Sequence, residues 1–422
     1  MVHAPIDPRL LPRTTILGAH DVTIGSVSLQ QLAEEFGTPL FIYDEQSLRD
    51  RCREAVRAFP DGIAFASKSF LCGAMARLVV EEGLFIDVAT AGELDLVLRS
   101  GVPGSRIVMH GNNKSRDEIS RAHEAGVHRF VIDNFDEISR LREIVTTTRP
   151  LDCLLRVIPG VEAHTHEFVK TGHEDTKFGL SILTRDAARA VEQLRQIPGI
   201  NLLGFHAHIG SQIFEVDAYD ATMSVLAAFV DEHGAEEICV GGGLGVPYVV
   251  GEFAPSLTEW GEEVRASATR HLAPHVRVTA EPGRAIVAAA AVTLYRVGAR
   301  KTVAERTYLA VDGGMSDNPR PVLYGSGYEA FLLSNPLSDR DSSFRIVGKH
   351  CESGDVLIDE AWLPQEVSVG DIVVTPVTGA YGYSMASNYN RVPRPAVVFV
   401  IDGRARVVLR RETLEDLSRL EN

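Results

Sequence analysis

A chain of 422 residues, 45% hydrophobic and 23% charged, has the composition of a folded globular protein and the length of two or three domains. Its 42 Lys plus Arg against 57 Asp plus Glu leave a formal net charge of -15, with no dense basic run, so no nucleic-acid partner is expected. The longest apolar stretch, Ala285 to Tyr295, is too short to span a bilayer, so neither a membrane partner nor an export segment is expected.

In chain order, short β-branched apolar runs alternate with longer stretches of helical periodicity. The runs are Ile63 to Ala66, Leu84 to Val88, Arg106 to His110, Arg129 to Asp133, Asp152 to Ile158, Leu202 to His208, Glu237 to Val240 and Val276 to Ala280. Between the early ones, Gly73 to Glu82, Ala91 to Ser100, Ser115 to Ala125 and Asp136 to Thr146 read as amphipathic helices. Eight such units joined by right-handed crossovers close into a (β/α)8 TIM-like barrel of about 250 residues. Residues 38–290 supply that length, and an open doubly wound sheet is the alternative. From Ala291 the pattern changes to strand-like runs separated by glycine turns: Val292 to Val297, Tyr308 to Val311, Phe344 to Gly348, Asp371 to Pro376, Ala396 to Ile401 and Ala405 to Arg410. The fold class is therefore α/β, a barrel followed by a C-terminal mainly β domain. Residues 1–37 and 291–422 together make that second domain, a sandwich or barrel.

The five cysteines, Cys52, Cys72, Cys153, Cys239 and Cys351, are scattered and form no C-x-x-C pair, which points to a reduced, cytoplasmic chain. Metal chemistry is not expected. The pairs His206 and His208, and His164 and His166, have strand spacing for a shared face but lack a third ligand set.

Barrel enzymes gather their chemistry at the C-terminal ends of the strands, and several polar residues fall there. Lys68 closes the first strand, and a partly desolvated lysine at a strand end suits imine formation, although a lysine simply reaching solvent is the competing reading. Gly241, Gly242 and Gly243 follow the seventh strand, where backbone N–H groups can approach a phosphate. Glu281 and Arg284 flank a Pro-Gly turn after the eighth, either as a structural ion pair or as an acid facing a pyridine nitrogen. His208 offers a flat ring for stacking. A lysine, a phosphate loop, a stacking imidazole and an acid together describe a site for pyridoxal phosphate.

Ten segments in order carry a family resemblance: FGTPLFIYDE, FASKSF, HGNNKS, EAHTHEFVKTGHEDTKFG, FHAHIGSQ, GGGLG, EPGRAIV, DGGMSDNPRPVLYG, GKHCESGD and GAYGYSMASNYN. On these the chain resembles the fold type III, alanine-racemase-like pyridoxal phosphate enzymes, and among them the diaminopimelate decarboxylases. The resemblance implies pyridoxal 5'-phosphate as cofactor, carried by Lys68 as a Schiff base, with His208 stacked on its ring and Glu281 at its pyridine nitrogen. Ser211, Gly241, Gly242, Gly243, Gly283, Arg284 and Tyr381 would complete the cofactor site. Substrate groups map to Arg284, Arg320, Tyr324, Glu352 and Tyr381, and a proton-donating thiol to Cys351. It also implies a homodimer in which Cys351 and Glu352 enter the other subunit's site, an amino-acid substrate, and lysine formation with release of carbon dioxide. Rival readings are a sister decarboxylase for ornithine, arginine or a carboxylated polyamine, a racemase, and a catalytically silent homologue. Pro319, Pro321 and Gly325 depart from the family's usual pattern and leave the loop shape around Arg320 open.

Overall fold

The structure, a computed structural model, describes residues 3–160, 176–215 and 217–421. The chain forms two compact units: Arg51–Gly245 with Ala254–Ala285, and Met1–Asp50 with Val246–Phe253 and Ile286–Asn422.

The first unit is the expected barrel. Its strands are Ala64–Ala66, Phe85–Val88, Ile107–Met109, Arg129–Ile132, Leu151–Ile158, Ile200–His206, Glu237–Cys239 and Arg277–Thr279. All neighbours pair in parallel and in chain order. A parallel bridge between Ile63 and Ala280 joins the last strand to the first, with Ala64 N donating to Ala280 O at 2.9 Å, which rules out the open-sheet alternative. The strands are short and mostly buried on both faces because helices cover the outside and side-chain layers fill the inside. Helices start where a polar residue caps them: Thr90 accepts from Glu93 N, Asn134 accepts from Glu137 N, and Ser115 and Ser256 form reciprocal capping boxes with Glu118 and Glu259.

Behind the third and fourth strands lies a fully buried ion pair, Lys114 Nζ to Glu137 Oε1 at 2.7 Å. The ammonium also donates to Gly111 O at 2.8 Å and Val131 O at 2.7 Å, and Glu137 Oε2 accepts from Asp133 N at 2.9 Å. The pair thereby ties together the loops that leave two adjacent strands.

The second unit is built on a nine-stranded sheet. Its hub is the long strand Ala291–Val303, which pairs antiparallel with Arg306–Val311, Ile372–Pro376 and Leu40–Asp44. Leu40–Asp44 also runs parallel to Ala396–Ile401. This strand falls inside the expected barrel range 38–290, yet it belongs to the sheet, because its five buried residues find partners far along the chain and none in the barrel. The segment Val246–Phe253 likewise leaves the barrel unit. Val356–Leu363, which the sequence pattern did not reveal, pairs with Ser342–Val347. A separate three-stranded sheet, Ile16–Leu17, Val22–Ile24 and Val27–Ser28, comes from the N-terminal residues. No helix among the described residues is long and apolar enough to cross a membrane.

Removing one member of a fully buried pair leaves the other charge uncompensated. Lys114→Met is expected to lower unfolding free energy by about 3–5 kcal/mol in urea titrations. The double change with Glu137→Leu should recover most of that loss.

Candidate active site

The C-terminal ends of the barrel strands bring a set of polar side chains together within the barrel unit. Lys68 sits in a one-turn helix, Ser67–Ser69, directly after the first strand. It is exposed in the single chain, between buried Ser67 and Ser69. Asp87 on the second strand accepts from Ser67 N at 3.1 Å. His110 follows the third strand, and Arg156 on the fifth pairs in register with His206, the last residue of the sixth.

Glu281, 9% exposed, is the centre of the constellation. His110 Nε2 reaches its Oε1 at 2.9 Å and His206 Nε2 its Oε2 at 3.0 Å, with the two imidazoles edge to face at 5.2 Å. Burial alone would raise the Glu281 carboxyl, but its electrostatic interaction and hydrogen bonds with His110 and His206 outweigh that and hold the group well below the usual carboxylate range. Burial pulls His110 down to about 4 against the opposing pull of Glu281, so at neutral pH its ring is neutral and donates a hydrogen bond. Asp87 moves the other way, driven well above its ordinary value by burial and by the Glu281 charge, with Lys68 opposing.

His208 lies two residues beyond the strand end. Burial, then the Lys68 and Arg156 charges, push it well below the usual imidazole range. Gly242 N donates to His208 Nδ1 at 3.2 Å, which fixes the ring and leaves the proton of the neutral imidazole on Nε2. His206 and His208 therefore do not form a ligand pair: His206 joins His110 and Glu281, whose ligand atoms lie within 4.8 Å of one another, and His208 faces the glycine loop. His164 and His166 lie outside the described residues.

The loop Gly241 to Gly243 packs backbone to backbone. A Cβ on Gly242 would lie 2.5 Å from Glu281 O, and Gly243 adopts φ +105°. Glu281 N in turn donates to Gly241 O at 2.7 Å, so the loop and the acid share one position. Arg284 Nη2 donates to Ser211 Oγ at 3.0 Å. Gly283 is buried against Ala66 and Ser69, where a Cβ would come within 2.9 Å of each.

Other expected residues lie in the β unit. Arg320 opens the short helix Arg320–Tyr324, with Pro319 as its N-cap, Pro321 in its first turn and Gly325 as a left-handed C-cap, so the unusual prolines and glycine set the ends of a helix. Arg320 is 4% exposed; its Nη1 donates to Tyr328 Oη at 2.6 Å and its guanidinium lies 4.0 Å from the Tyr248 ring centroid. Tyr324 ends the helix and is half-buried. Cys351 is the one exposed cysteine of the five. Glu352 is exposed and accepts from Tyr389 Oη at 2.7 Å. Tyr381 is half-buried with φ +58°.

Residues 45–288 match the family described as pyridoxal-dependent decarboxylase, pyridoxal binding domain. The chain is 44% identical to the diaminopimelate decarboxylase of Mycobacterium tuberculosis, covering 98% of each chain, and 44% identical to that of Bacillus subtilis, covering 94% of each. The chain belongs to the diaminopimelate decarboxylase family. Among solved structures it is similar to diaminopimelate decarboxylase from M. jannaschii in complex with L-lysine, with TM-score 0.90, 28% identity and coverage of 97% of this chain and 98% of that one. The Helicobacter pylori enzyme complexed with L-lysine follows at TM-score 0.84 and 27% identity, covering 93% and 98%.

Membership makes pyridoxal phosphate the cofactor of this decarboxylase, and the donor set of the barrel end suits it. A buried carboxylate held ionised matches a protonated pyridine nitrogen, an accessible amine matches an aldehyde, and a neutral fixed imidazole offers a flat face. Ser211, Arg284 and the glycine loop offer a hydroxyl, a cation and close backbone for a phosphate. Sequence reasoning passed over His110, Asp87 and Arg156. His110 stood in view as the end of the run Arg106 to His110 and the first letter of HGNNKS, but nothing local signals a partner 171 residues away.

Because Gly242 touches the Glu281 backbone, Gly242→Ala should displace both loop and acid. The apoprotein's affinity for pyridoxal phosphate, followed by absorbance titration, is expected to fall by about tenfold or more, equivalent to ~1.4 kcal/mol.

Proposed function

We propose that the chain decarboxylates meso-diaminopimelate to L-lysine and carbon dioxide, as a cytoplasmic homodimer with shared active sites. Beyond the full-length likeness to enzymes of that name, the observation that carries the reading is Arg320. It is a buried guanidinium that no carboxylate among the described residues pairs with. Burying an unpaired cation is costly, and an anionic ligand group offsets that cost. The far end of diaminopimelate carries such a carboxylate beside an ammonium, for which exposed Glu352 is the complementary acid. Ornithine, arginine and a polyamine lack a distal carboxylate and would leave Arg320 unpaired.

Pyridoxal phosphate, when bound, supplies the electron sink that makes loss of carbon dioxide from an amino acid feasible. Lys68 is the amine that would anchor it, and Glu281, kept ionised by two imidazoles, would face the pyridine nitrogen and favour its protonated form. His208 presents its neutral ring to the cofactor. Ser211, Gly241, Gly242, Gly243, Gly283, Arg284 and Tyr381 hold the cofactor, and Arg284, Arg320, Tyr324, Glu352 and Tyr381 orient the substrate. Cys351 Sγ returns a proton to the carbon that has lost its carboxylate. Cys351, Glu352 and Tyr389 are exposed in the single chain, as are Val322 and Leu323 on the Arg320–Tyr324 helix, which favours a second copy as their cover.

The deciding assay is purified protein with pyridoxal phosphate and a panel of meso-diaminopimelate, ornithine, arginine and a carboxylated polyamine, following carbon dioxide and the amine formed. Lysine from diaminopimelate alone is the expected outcome; preference for another member rejects the reading. Lys68→Ala should remove both the cofactor's bound absorbance band and turnover. Mixing inactive Lys68→Ala and Cys351→Ala dimers should restore activity through hybrids. No recovery after proven subunit exchange would exclude shared sites.

A further inference from the structure

Arg320 differs in its surroundings from three other buried cations, Lys114, Arg129 and Arg340. Lys114 meets Glu137, Arg129 meets Glu237 and Arg340 meets Glu329, each as a direct ion pair. Arg320 has no such partner among the described residues and is instead held by two tyrosines. Its guanidinium carbon lies 4.0 Å from the Tyr248 ring centroid and 5.5 Å from that of Tyr328, and the two rings meet edge to face at 5.3 Å. Both tyrosines are 3% exposed. The acid nearest to it in sequence, Asp317, is engaged elsewhere: it accepts from Tyr295 Oη at 2.6 Å and Gly314 N at 2.7 Å, and burial raises it to about 7.

The hydrogen bonds are as informative as the rings. Nη1 is taken by Tyr328 Oη, whereas Nε is buried with no partner among the described residues. Nε and Nη2 form the side-on edge of a guanidinium, the one that grips a carboxylate with two parallel N–H bonds. A protein carboxylate in this place would neutralise the cation but occupy that edge. Aromatic faces stabilise a desolvated cation by about 2 kcal/mol without using any N–H. The backbone is braced as well: Glu329, next to Tyr328, is paired with Arg340 and accepts from Val250 N at 3.1 Å, which ties the Tyr248 segment to the Tyr328 segment.

We propose that Tyr248 and Tyr328 are positioning residues that replace a counter-ion for Arg320, keeping its Nε–Nη2 edge open for the distal carboxylate and so setting the preference for ligands that carry one. The proposal rests on the reading of Arg320 given above. Its test compares L-lysine with cadaverine, which is the same molecule without that carboxylate, as competitive inhibitors of the holoenzyme. Tyr328→Phe should weaken L-lysine about tenfold, the range expected for one hydrogen bond to a charged group, and raise KM for diaminopimelate similarly. Cadaverine should change less than about twofold, and kcat little. Tyr248→Leu should reduce the lysine-to-cadaverine ratio in the same direction, and Tyr248→Phe, which keeps the ring face, should restore it. Should Tyr248→Leu fail to fold, Tyr328→Phe and Tyr248→Phe still decide. In Tyr328→Phe or Tyr248→Leu, equal losses for both ligands, or no loss for either, would overturn the cradle. Arg320→Lys separates the two levels: a ratio lowered there but untouched by the tyrosine changes rejects only the cradle, whereas an unchanged ratio rejects the carboxylate role of Arg320 itself.

Discussion

An ionised carboxylate at the end of a barrel core is the constraint on which the rest of the barrel unit depends. Desolvating Glu281 works against its charge by several kcal/mol, and only partners delivered from elsewhere on the barrel can offset that. They come from two other strands: His110 leaves the third and His206 ends the sixth, while Glu281 follows the eighth. The distances hold only if the closed strand register holds, so the bridge from Ile63 to Ala280 and the buried Lys114 to Glu137 pair beside His110 serve the acid as much as the fold. The glycine loop follows from the same requirement, since its backbone lies against the backbone of Glu281 and leaves no room for a side chain.

Arg320 poses the converse problem, a buried cation, and is handled by a different means. Hydrogen-bonded imidazoles keep Glu281 charged by offering N–H donors, whereas the Arg320 guanidinium lies against aromatic faces and only its Nη1 is taken, by Tyr328 Oη. The difference suits the roles proposed above: an acid that holds a ring nitrogen would need one open oxygen lone pair, and an arginine that binds a carboxylate would need two parallel N–H groups left unused.

The barrel was legible in the sequence because its signal is local. Each strand is a short apolar run, each helix has its own cap and periodicity, and all eight runs became strands within a residue or two of their expected ends. The β unit was less legible because its pairing is distant. Leu40–Asp44 finds partners near Ala291 and Ala396, and no local pattern distinguishes such a run from a barrel strand. Val356–Leu363 escaped because Asp359 and Glu360 interrupt its alternation, at a place where register shifts against Ser342–Val347 mark an irregular strand. The candidate site divides in the same way. Lys68, Glu281 and the glycine loop announce themselves by residue type at a strand end, but the imidazoles that tune Glu281 and the tyrosines around Arg320 are defined only by contacts made in the fold.

Motifs that read as separate in the sequence are halves of one device around Cys351. Asp355 of GKHCESGD is buried and accepts from Met315 N at 2.6 Å and His350 N at 2.9 Å. Its carboxylate fits there because Gly314 and Gly348 have no Cβ, which would otherwise lie 2.6 Å and 2.1 Å from Asp355 Oδ2. On the other side Asn390, at φ +50°, accepts from Cys351 N at 3.2 Å, and its Oδ1 lies 3.2 Å from His350 Nδ1. With Nδ1 donating there, His350 Nε2 is left to accept from Ser316 Oγ at 2.8 Å. The DGGMSD, GKHCESGD and SNYN segments thus close on one another, and the exposed thiol stands on backbone fixed from both sides. A thiol on a slack loop would spend most of its time away from any bond it has to form, and backbone fixed on both sides removes that loss.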